Sequence, residues 1–362
     1  MSKRPILVMA GGTGGHVYPA LAVARALEAH SQSIVWLGTH RGLEATVVPA
    51  AGIDVEWINV KGLRRKGVVA LLVAPLQLVW ALLQALAIIL RRRPTAVLGM
   101  GGFVSGPGGL AAWLTRRPLV IHEQNAAAGL TNRLLARLAR VVLQAFPGSF
   151  NSSVVVETVG NPVREDIAAV PLPTDRYAGR QGPLRLLVLG GSQGALALNT
   201  TVPHALSMLP VPERPTVRHQ CGERTLDVAR NAYAEHGVDA ELTPYIEDMA
   251  SAYAWADLVV CRSGALTVAE LCAVGLPALF VPYPAAVDDH QTANARPMAD
   301  AGAAVIIDES MLSAEVLAGQ LREWLSSRDE LQSKADKARG LARPKALLRI
   351  TELCLEQARL VA

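Results

Sequence analysis

The sequence predicts an α/β fold made of two Rossmann-like domains that face each other across a cleft. The chain has 362 residues, more than a single hydrophobic core usually organises. Short apolar runs alternate with helical stretches, which is typical of parallel sheets covered by helices on both faces. The alternation begins again near residue 184, and glycine clusters follow predicted strands in both halves.

The first half opens on a buried strand at residues 5–10, followed by a helix at residues 17–29. Both assignments rest on hydrophobic periodicity, since a continuous apolar run indicates a strand buried on both faces. Further strands of this half are predicted at residues 33–37, 96–100 and 119–122.

The second half starts with a strand at residues 184–189, and two further strands are predicted at residues 258–261 and 278–281. Between the halves lies Gly-Asn-Pro-Val-Arg at 160–164, the predicted hinge. We therefore expect an N-terminal domain over residues 1–160 and a C-terminal domain over residues 161–341. Residues 344–361 predict a last helix, and its periodicity does not decide which domain it packs on.

Composition indicates a globular chain, with 51% apolar and 18% charged residues. The four cysteines are far apart and form no Cys-x-x-Cys pair, which fits a reducing cytoplasm and argues against a zinc site. The N-terminus lacks the long apolar stretch of a signal peptide, so we expect a cytoplasmic protein. Basic residues are not interleaved with aromatic ones, so no nucleic-acid partner is expected.

Charge is unevenly distributed around an apolar run at residues 68–90. No acidic residue occurs between Glu56 and Glu123, whereas nine Lys or Arg residues do. The run is long enough to span a membrane, but Pro75 interrupts it, and strands of one sheet are predicted on both sides of it. We therefore expect a helical pair with one side in the core and one apolar patch on an anionic membrane surface. A wholly buried crossover helix is the alternative.

The residues expected at this membrane surface share either a positive charge flanking the run or an apolar side chain within it. They are Arg64, Arg65, Lys66, Leu72, Leu76, Val79, Trp80, Leu83, Arg91, Arg92 and Arg93.

Three glycine clusters lie where predicted strands end, at residues 11–15, 99–109 and 190–194. Glycine lets the backbone approach a phosphate, and the following helix offers unpaired N–H groups. A dinucleotide site is disfavoured because no strict Gly-x-Gly-x-x-Gly occurs, and no cluster is followed by the Gly-Lys-Ser/Thr of a phosphate-binding P-loop. Tight turns without a ligand are the alternative for any single cluster.

Three groups of polar residues could carry chemistry. His16 follows the first cluster at a helix N-terminus, where a neutral imidazole could act as a general base or merely cap the helix. The segment His-Glu-Gln-Asn at 122–125 would either line the cleft or form a loop network. Thr267 and Glu270 lie three residues apart on one helix face, and Glu270 could accept hydrogen bonds from ribose hydroxyls or simply balance the helix dipole.

No Asp-x-Asp motif occurs in the chain, although many nucleotide-sugar enzymes use one to hold a divalent ion. We therefore expect no metal site and no tightly bound cofactor. The charge of a leaving diphosphate would instead be stabilised by helix N-termini and positioned donors.

These motifs together resemble the MurG family, the N-acetylglucosaminyltransferases that convert lipid I to lipid II in peptidoglycan synthesis. The matching segments are residues 11–17, 99–109, 122–125, 160–164, 190–195 and 262–268, in family order. The resemblance implies a GT-B fold, with UDP-GlcNAc bound mainly by the C-terminal domain and the acceptor by the N-terminal one. It implies that a C-terminal helix at about 342–362 packs back on the first domain. It also implies an inverting transfer to the 4-hydroxyl of the muramyl sugar at the cytoplasmic face of the inner membrane.

The resemblance further assigns roles by position. The implied donor contacts are Thr13, Gly14, Gly15, Asn125, Arg164, Ser192, Ile246, Ala265, Leu266, Thr267, Val268, Ala269, Glu270 and Gln291. Within this set, Ser192 would meet the diphosphate and Ile246 the uracil. Glu270 would hold the ribose, while Asn125 and Gln291 would read the GlcNAc hydroxyls. His16 becomes the favoured base, with Glu123 as an assisting catalytic residue.

The implied partners are UDP-GlcNAc, undecaprenyl-linked lipid I, anionic membrane lipids and other cell-wall synthesis proteins. One departure concerns residues 283–290, where the family is variable, so the roles of the neighbours of Gln291 stay open. A UDP-GlcNAc 2-epimerase-like isomerase is the enzymatic alternative, but it would not need the apolar run at residues 68–90. A non-catalytic lipid carrier would not need the donor residues.

Overall fold

The computed structural model describes residues 4–60, 68–191, 194–284 and 289–361, without the side chains of residues 68–73. The chain divides into two units, Met1–Val163 with Arg343–Ala362, and Arg164–Ala342. Each unit contains one parallel sheet with helical connections, which confirms the predicted α/β class with two Rossmann-like domains. The calls on Arg64, Arg65, Lys66 and Ser192, and on the side chain of Leu72, lie outside the described residues.

The first unit contains a seven-stranded parallel sheet in the order β3-β2-β1-β4-β5-β6-β7. Its strands are β1 (Ile6–Met9), β2 (Ile34–Gly38), β3 (Asp54–Trp57), β4 (Ala96–Gly99), β5 (Leu119–Glu123), β6 (Val141–Gln144) and β7 (Glu157–Thr158). The helices between them are α1 (Gly14–Ala29), α2 (Glu44–Ala50), α3 (Val68–Arg92), α4 (Ser105–Leu114) and α5 (Leu130–Leu135). Every residue of β1 is buried, as a strand covered by helices on both faces requires.

Strand order reverses at β1 in the first sheet. The chain runs outward from β1 through β2 to β3, and then returns to place β4 on the other side of β1. The loops after β1 and β4 therefore leave in opposite directions. This switch point at the carboxyl ends of strands is where open α/β sheets bind ligands.

The second unit contains a six-stranded parallel sheet in the order β10-β9-β8-β11-β12-β13, and its strand order reverses at β8. Its strands are β8 (Arg185–Leu189), β9 (Thr216–Gln220), β10 (Glu241–Thr243), β11 (Leu258–Cys261), β12 (Ala278–Phe280) and β13 (Ala304–Ile306). Its helices are α6 (Glu165–Ala168), α7 (Pro173–Tyr177), α8 (Leu196–Ser207), α9 (Leu226–Glu235), α10 (Met249–Trp255), α11 (Ala265–Val274), α12 (His290–Asp300), α13 (Ala314–Leu325) and α14 (Arg328–Gly340). Short 3₁₀ turns complete the unit.

The last helix, α15 (Ala346–Arg359), belongs to the first unit and packs on α1. It buries Ile350 and Cys354 in the same core cluster as β1. Gly160 lies where the chain passes this helix, and a Cβ there would fall 2.3 Å from Cβ of Arg343. Because the backbone of Gly160 is also left-handed, at φ 92°, only glycine fits this position without strain.

The apolar run forms one continuous helix, α3, so the predicted helical pair is wrong. Pro75 is the eighth residue of α3, and the helix continues through it although proline has no N–H to donate to the helical ladder. Ala74–Arg92 is long and apolar enough to span a membrane by length and composition, with a mean hydropathy of 1.6. However, β3 before the helix and β4 after it belong to the same parallel sheet.

Candidate active site

Two glycine-rich loops meet at the switch point of the first sheet, and glycine is what lets them touch. A Cβ at Gly102 would lie 2.3 Å from the carbonyl oxygen of Gly11 in the loop after β1. A Cβ at Gly101 would lie 2.5 Å from Nδ1 of His16, the third residue of α1. The loop after β4 therefore closes over the first loop and fixes the space left for the imidazole.

A buried carboxylate, Glu44, holds the first loop from below. Its oxygens accept hydrogen bonds from the backbone N–H of Gly12 (2.8 Å) and from the N–H and hydroxyl of Thr39 (3.1 and 2.8 Å). The side chain is fully buried, and these donors satisfy it without a cation among the contacts described. Glu44 therefore fixes the backbone that carries Thr13, Gly14 and Gly15 towards α1.

The His16 ring is hydrogen-bonded to Gln124, which follows β5. Its Nδ1 lies 3.0 Å from Oε1 of Gln124. The Gln124 amide nitrogen lies 2.9 Å from the carbonyl oxygen of Met100 and 3.2 Å from Nδ1 of His122. His122 is fully buried, and its Nε2 lies 2.9 Å from the carbonyl oxygen of Gly160. Burial lowers the pKa of His122 to about 4, so this second imidazole is neutral.

Glu123 is engaged in bracing the loop that follows β5. Its carboxylate accepts from the N–H and side-chain amide of Asn125, from the N–H of Gly129 and from the amide of Asn132, at 2.9–3.2 Å. The side chain is 3% exposed. This geometry favours the loop network, which was one of the two expectations for residues 122–125, over proton transfer by Glu123.

The switch point of the second sheet has its own pair of loops, one after β8 and one after β11. A Cβ at Gly194 would lie 2.0 Å from Oγ1 of Thr225 and 2.5 Å from the carbonyl oxygen of Cys221. The loop after β8 thus packs directly on the segment that follows β9. The loop after β11 leads into α11, so the N-terminus of this ten-residue helix faces the same edge of the sheet.

The five residues Ala265, Leu266, Thr267, Val268 and Ala269 form the first part of α11, and Glu270 follows them. The Tyr253 hydroxyl, from α10, donates a hydrogen bond to Oε2 of Glu270 at 2.9 Å. Burial raises the pKa of Glu270 to about 7, although the Tyr253 hydrogen bond and the charge of Arg164 both lower it. The carboxyl group of Glu270 therefore changes between its neutral and its charged form near neutral pH.

The remaining donor candidates of this unit lie on separate segments. Gln291, in the first turn of α12, accepts a hydrogen bond from the Tyr283 N–H at 2.9 Å. Ile246 is half-buried in the loop that follows β10. Arg164 precedes α6 and lies 3.5 Å from Asp166. Each of these positions lies after the carboxyl end of a strand or at a helix N-terminus.

One face of α3 is apolar and exposed, which excludes a wholly buried helix. Leu76, Val79, Trp80 and Leu83 are 52–72% exposed and recur at the spacing of one helical face. The opposite face, which includes Ala81, Ala85 and Ile89, is buried in the core.

The basic residues at the C-terminal end of this helix are not equivalent. Arg91 and Arg92 both pair with Glu56 on β3, at 2.5 and 2.6 Å, and Arg91 and Arg93 are both exposed. Glu56 therefore compensates part of the positive charge that the sequence places at this end of the run.

Four residues that shape these sites were not predicted individually from the sequence. Gln124 lies inside the segment singled out at 122–125, but only the fold brings it to His16. Gly101 lies inside a singled-out glycine cluster. Glu44 and Tyr253 belong to no motif, and their contacts with Gly12 and Glu270 join residues that are 32 and 17 positions apart along the chain. Among the residues that the structure describes, no group of three or more His, Cys, Asp or Glu side chains is placed to hold a metal ion.

Two Rossmann-like units with glycine-rich loops at their switch points are the architecture of the GT-B fold. Residues 6–144 match the glycosyltransferase family 28 N-terminal domain, and residues 185–350 match the family 28 C-terminal domain. The two matches together cover more than half of the chain, which therefore belongs to glycosyltransferase family 28.

Relatives named UDP-N-acetylglucosamine--N-acetylmuramyl-(pentapeptide) pyrophosphoryl-undecaprenol N-acetylglucosamine transferase resemble the whole chain. The one from Alkalilimnicola ehrlichii is 60% identical over 98% of this chain and 99% of its own length. The one from Nitrosococcus oceani is 55% identical over 98% of both. The crystal structure of Acinetobacter baumannii MurG is 42% identical, with a TM-score of 0.85 over 98% of this chain and 99% of that one.

A putative UDP-N-acetylglucosamine 2-epimerase from Listeria monocytogenes shares the fold. Its TM-score is 0.65 over 97% of this chain and 95% of that one, but its identity is only 15%. At that identity the likeness concerns the architecture and not the chemistry.

Proposed function

We propose that this protein transfers GlcNAc from UDP-GlcNAc to the 4-hydroxyl of the muramyl sugar of lipid I, giving lipid II and UDP. The observation that carries the proposal is the 60% identity, across both units, with a relative named for this activity. The epimerase alternative has only a shared fold in its favour. The geometry at the two switch points agrees with a glycosyl transfer, since one unit presents a histidine and the other a partly buried carboxylate on a helix.

In the proposed reaction, the acceptor hydroxyl attacks the anomeric carbon as the bond to the UDP oxygen breaks. His16 takes the hydroxyl proton, and the bonding electrons leave with the diphosphate. Attack opposite to the leaving group inverts the anomeric centre and gives a β-linkage. A positioned general base contributes about 10²–10⁴-fold to such a step.

The donor is held by the second unit in this proposal, with Thr13, Gly14, Gly15 and Asn125 contributed by the first. Glu270 accepts hydrogen bonds from the ribose hydroxyls, and the backbone of Ile246 pairs with uracil. Helix N-termini stabilise the diphosphate charge, with no divalent ion required. The further contacts proposed for the donor are Arg164, Ser192, residues 265–269 and Gln291.

The acceptor is lipid-linked, so we place the enzyme peripherally on the cytoplasmic face of the bacterial inner membrane. The support is the exposed apolar face of α3, which includes Leu76, Val79, Trp80 and Leu83. Basic residues at both ends of the run would meet anionic headgroups, each contributing about 1 kcal/mol near the surface. Arg93 is the exposed member after the helix. We also propose that other cell-wall synthesis proteins bind this enzyme at the membrane.

A transfer assay tests the activity. Purified protein is incubated with radiolabelled UDP-GlcNAc and a lipid I analogue in EDTA, and label entering the lipid fraction is followed. We expect transfer that survives chelation, and a loss of about 10²–10⁴-fold in kcat for His16→Ala. Conversion of the donor to its C2 epimer without transfer would instead establish the isomerase.

Vesicle flotation tests the membrane surface. We expect binding to vesicles with anionic lipids that weakens with salt and that falls for Trp80→Ser combined with Leu83→Ser. Val211→Ser with Met311→Ser is the matched control, since these apolar residues of the second unit are 72% and 67% exposed. Retention that resists both salt and carbonate would contradict a peripheral protein.

A further inference from the structure

We infer that Gln124 and His122 are positioning residues that hold neutral His16 as the Nδ1–H tautomer, so that its Nε2 carries the lone pair that accepts the proton. This inference rests on the proposed function, in which His16 is the base. It is carried by an unbroken series of hydrogen bonds from His16 through Gln124 and His122 to the carbonyl of Gly160.

The carbonyl of Gly160 fixes the far end of the series. A carbonyl oxygen only accepts, so the His122 Nε2 at 2.9 Å must carry hydrogen and donate it. His122 is neutral because it is fully buried, and a neutral imidazole has one protonated nitrogen. Its Nδ1 is therefore an acceptor, and the group 3.2 Å away on Gln124 must donate to it.

The carbonyl of Met100 independently fixes the orientation of the Gln124 amide. The group that lies 2.9 Å from this carbonyl must be the NH₂ end of Gln124, since the amide oxygen cannot donate. The same NH₂ group has a second hydrogen, which points to Nδ1 of His122. Both ends of the series thus assign the amide in the same way, and Oε1 of Gln124 must face His16.

His16 is left with one choice of tautomer. Its Nδ1 lies 3.0 Å from an oxygen that only accepts, so Nδ1 carries the hydrogen and Nε2 has the lone pair. When Nε2 takes a proton, the Nδ1–H bond to the amide dipole persists and stabilises the imidazolium. Gln124 has no proton to release, so the series orients the base and does not relay protons.

Among the described residues, the charge interactions that reach His122 come from Glu123 and His16. The Glu123 carboxylate is engaged by Asn125, Gly129 and Asn132, and Asn161 donates to the backbone oxygen of Gln124 at 3.0 Å. The ring of His16 therefore meets a neutral amide at Nδ1, unlike the carboxylate that orients the histidine of a serine-protease triad.

Nitrogen NMR on the full-length protein tests the tautomer without any substrate. Histidine is labelled with ¹⁵N, His16→Gln assigns the signals, and spectra are recorded at alkaline pH, where imidazoles are neutral. The expected pattern is a protonated Nδ1 and an unprotonated Nε2 in His16. A dominant Nε2–H tautomer would overturn the inference.

Kinetics test whether the bond positions the base. Gln124→Met keeps the volume and removes every side-chain hydrogen bond, and we expect kcat to fall about 10–100-fold with an unchanged KM for UDP-GlcNAc. Its NMR spectrum should show mixed His16 tautomers. Gln357→Met is the control, a buried glutamine of the same unit whose side-chain oxygen has no described hydrogen-bond partner.

Gln124→Glu gives a second kinetic readout. A carboxylate facing Nδ1 would stabilise the imidazolium form of the base, so the acid limb of the pH profile of kcat/KM should move to higher pH. Unchanged kcat and unchanged tautomer in Gln124→Met would contradict the positioning role. Failure of the proposed function is separate, because wild-type protein would then show no transfer while the tautomer remains measurable.

Discussion

The two sheets share the same strand order over six parallel strands, yet their switch points present opposite chemistry. In the first unit, His16 is oriented by neutral groups, the Gln124 amide and the buried His122. In the second unit, Glu270 presents a carboxylate whose pKa burial raises to about 7. The topology decides where loops emerge, and a few side chains decide whether the site offers a base or a charge-sensitive acceptor of hydrogen bonds.

Two buried carboxylates, one in each unit, also differ in what they stabilise. Glu44 lies under the first glycine loop and is satisfied by backbone N–H groups and a hydroxyl. Asp257 precedes β11, at the opposite edge of the sheet from the second site, and pairs with Arg180 and Arg328. One carboxylate therefore shapes a site, while the other ties together segments remote from one.

The largest expected effect is on the stability of the second unit. Asp257→Ala would leave two largely buried guanidinium groups without their carboxylate partner and with only backbone carbonyls as described acceptors, so we expect a loss of about 3–5 kcal/mol in the free energy of unfolding. Urea unfolding with hydrogen exchange of β8 and β11 would measure it. Asp227→Ala is the control, since it breaks the exposed pair with Arg230 and should cost less than about 1 kcal/mol. If the two substitutions lower the free energy of unfolding equally, the ion pairs of Asp257 do not stabilise the second unit.

The next effect concerns space at the first switch point. Gly101→Ala would place a methyl group 2.5 Å from Nδ1 of His16, and we expect kcat to fall about 100-fold because the base is displaced. Gly52→Ala is the matched control, since its φ of 76° is also left-handed but an added Cβ meets nothing within 4 Å. If both variants lose activity equally, backbone strain and not the displaced imidazole is responsible.

Hydrophobic periodicity predicted the parts of this protein that depend on local pattern. The strand at residues 258–261 has its predicted bounds, and β1 lies within the predicted 5–10. Glycine clusters pointed to both switch points because the backbone there must pass close to other backbone.

Contacts between distant segments escaped prediction, because no local pattern encodes them. The link from His16 to Gln124 spans 108 residues, and the link from Tyr253 to Glu270 depends on how α10 packs. The predicted helical pair at residues 68–90 failed for a different reason. Pro75 looked like a break in sequence, but α3 continues through it, and Ala74, Ala81 and Ala85 on both sides of the proline are buried.

A smaller effect should appear as a pH dependence of donor affinity. If the ionised form of Glu270 accepts the ribose hydroxyls, protonation below its pKa of about 7 weakens binding, by up to about tenfold per pH unit. Calorimetry with UDP-GlcNAc would measure this loss as pH falls, because its diphosphate diester does not titrate near neutrality. Glu270→Gln should bind more weakly at pH 8 and lose the dependence. A dependence that persists in this variant would belong to another group.

The smallest effect isolates the hydrogen bond that supports this carboxylate. Tyr253→Phe removes the donor to Oε2 of Glu270, which raises the pKa of Glu270 further. We expect donor affinity at pH 7 to fall roughly three- to tenfold, since a hydrogen bond to a charged group contributes about 1.5–3 kcal/mol and only part of it affects binding. The loss should shrink at pH 8.5, where a larger fraction of Glu270 is ionised in both proteins than at pH 7. Tyr233→Phe removes a buried hydroxyl that meets His219 in the same unit and should leave affinity unchanged. A loss that is equal at both pH values would mean that Tyr253 acts through packing and not through the charge of Glu270.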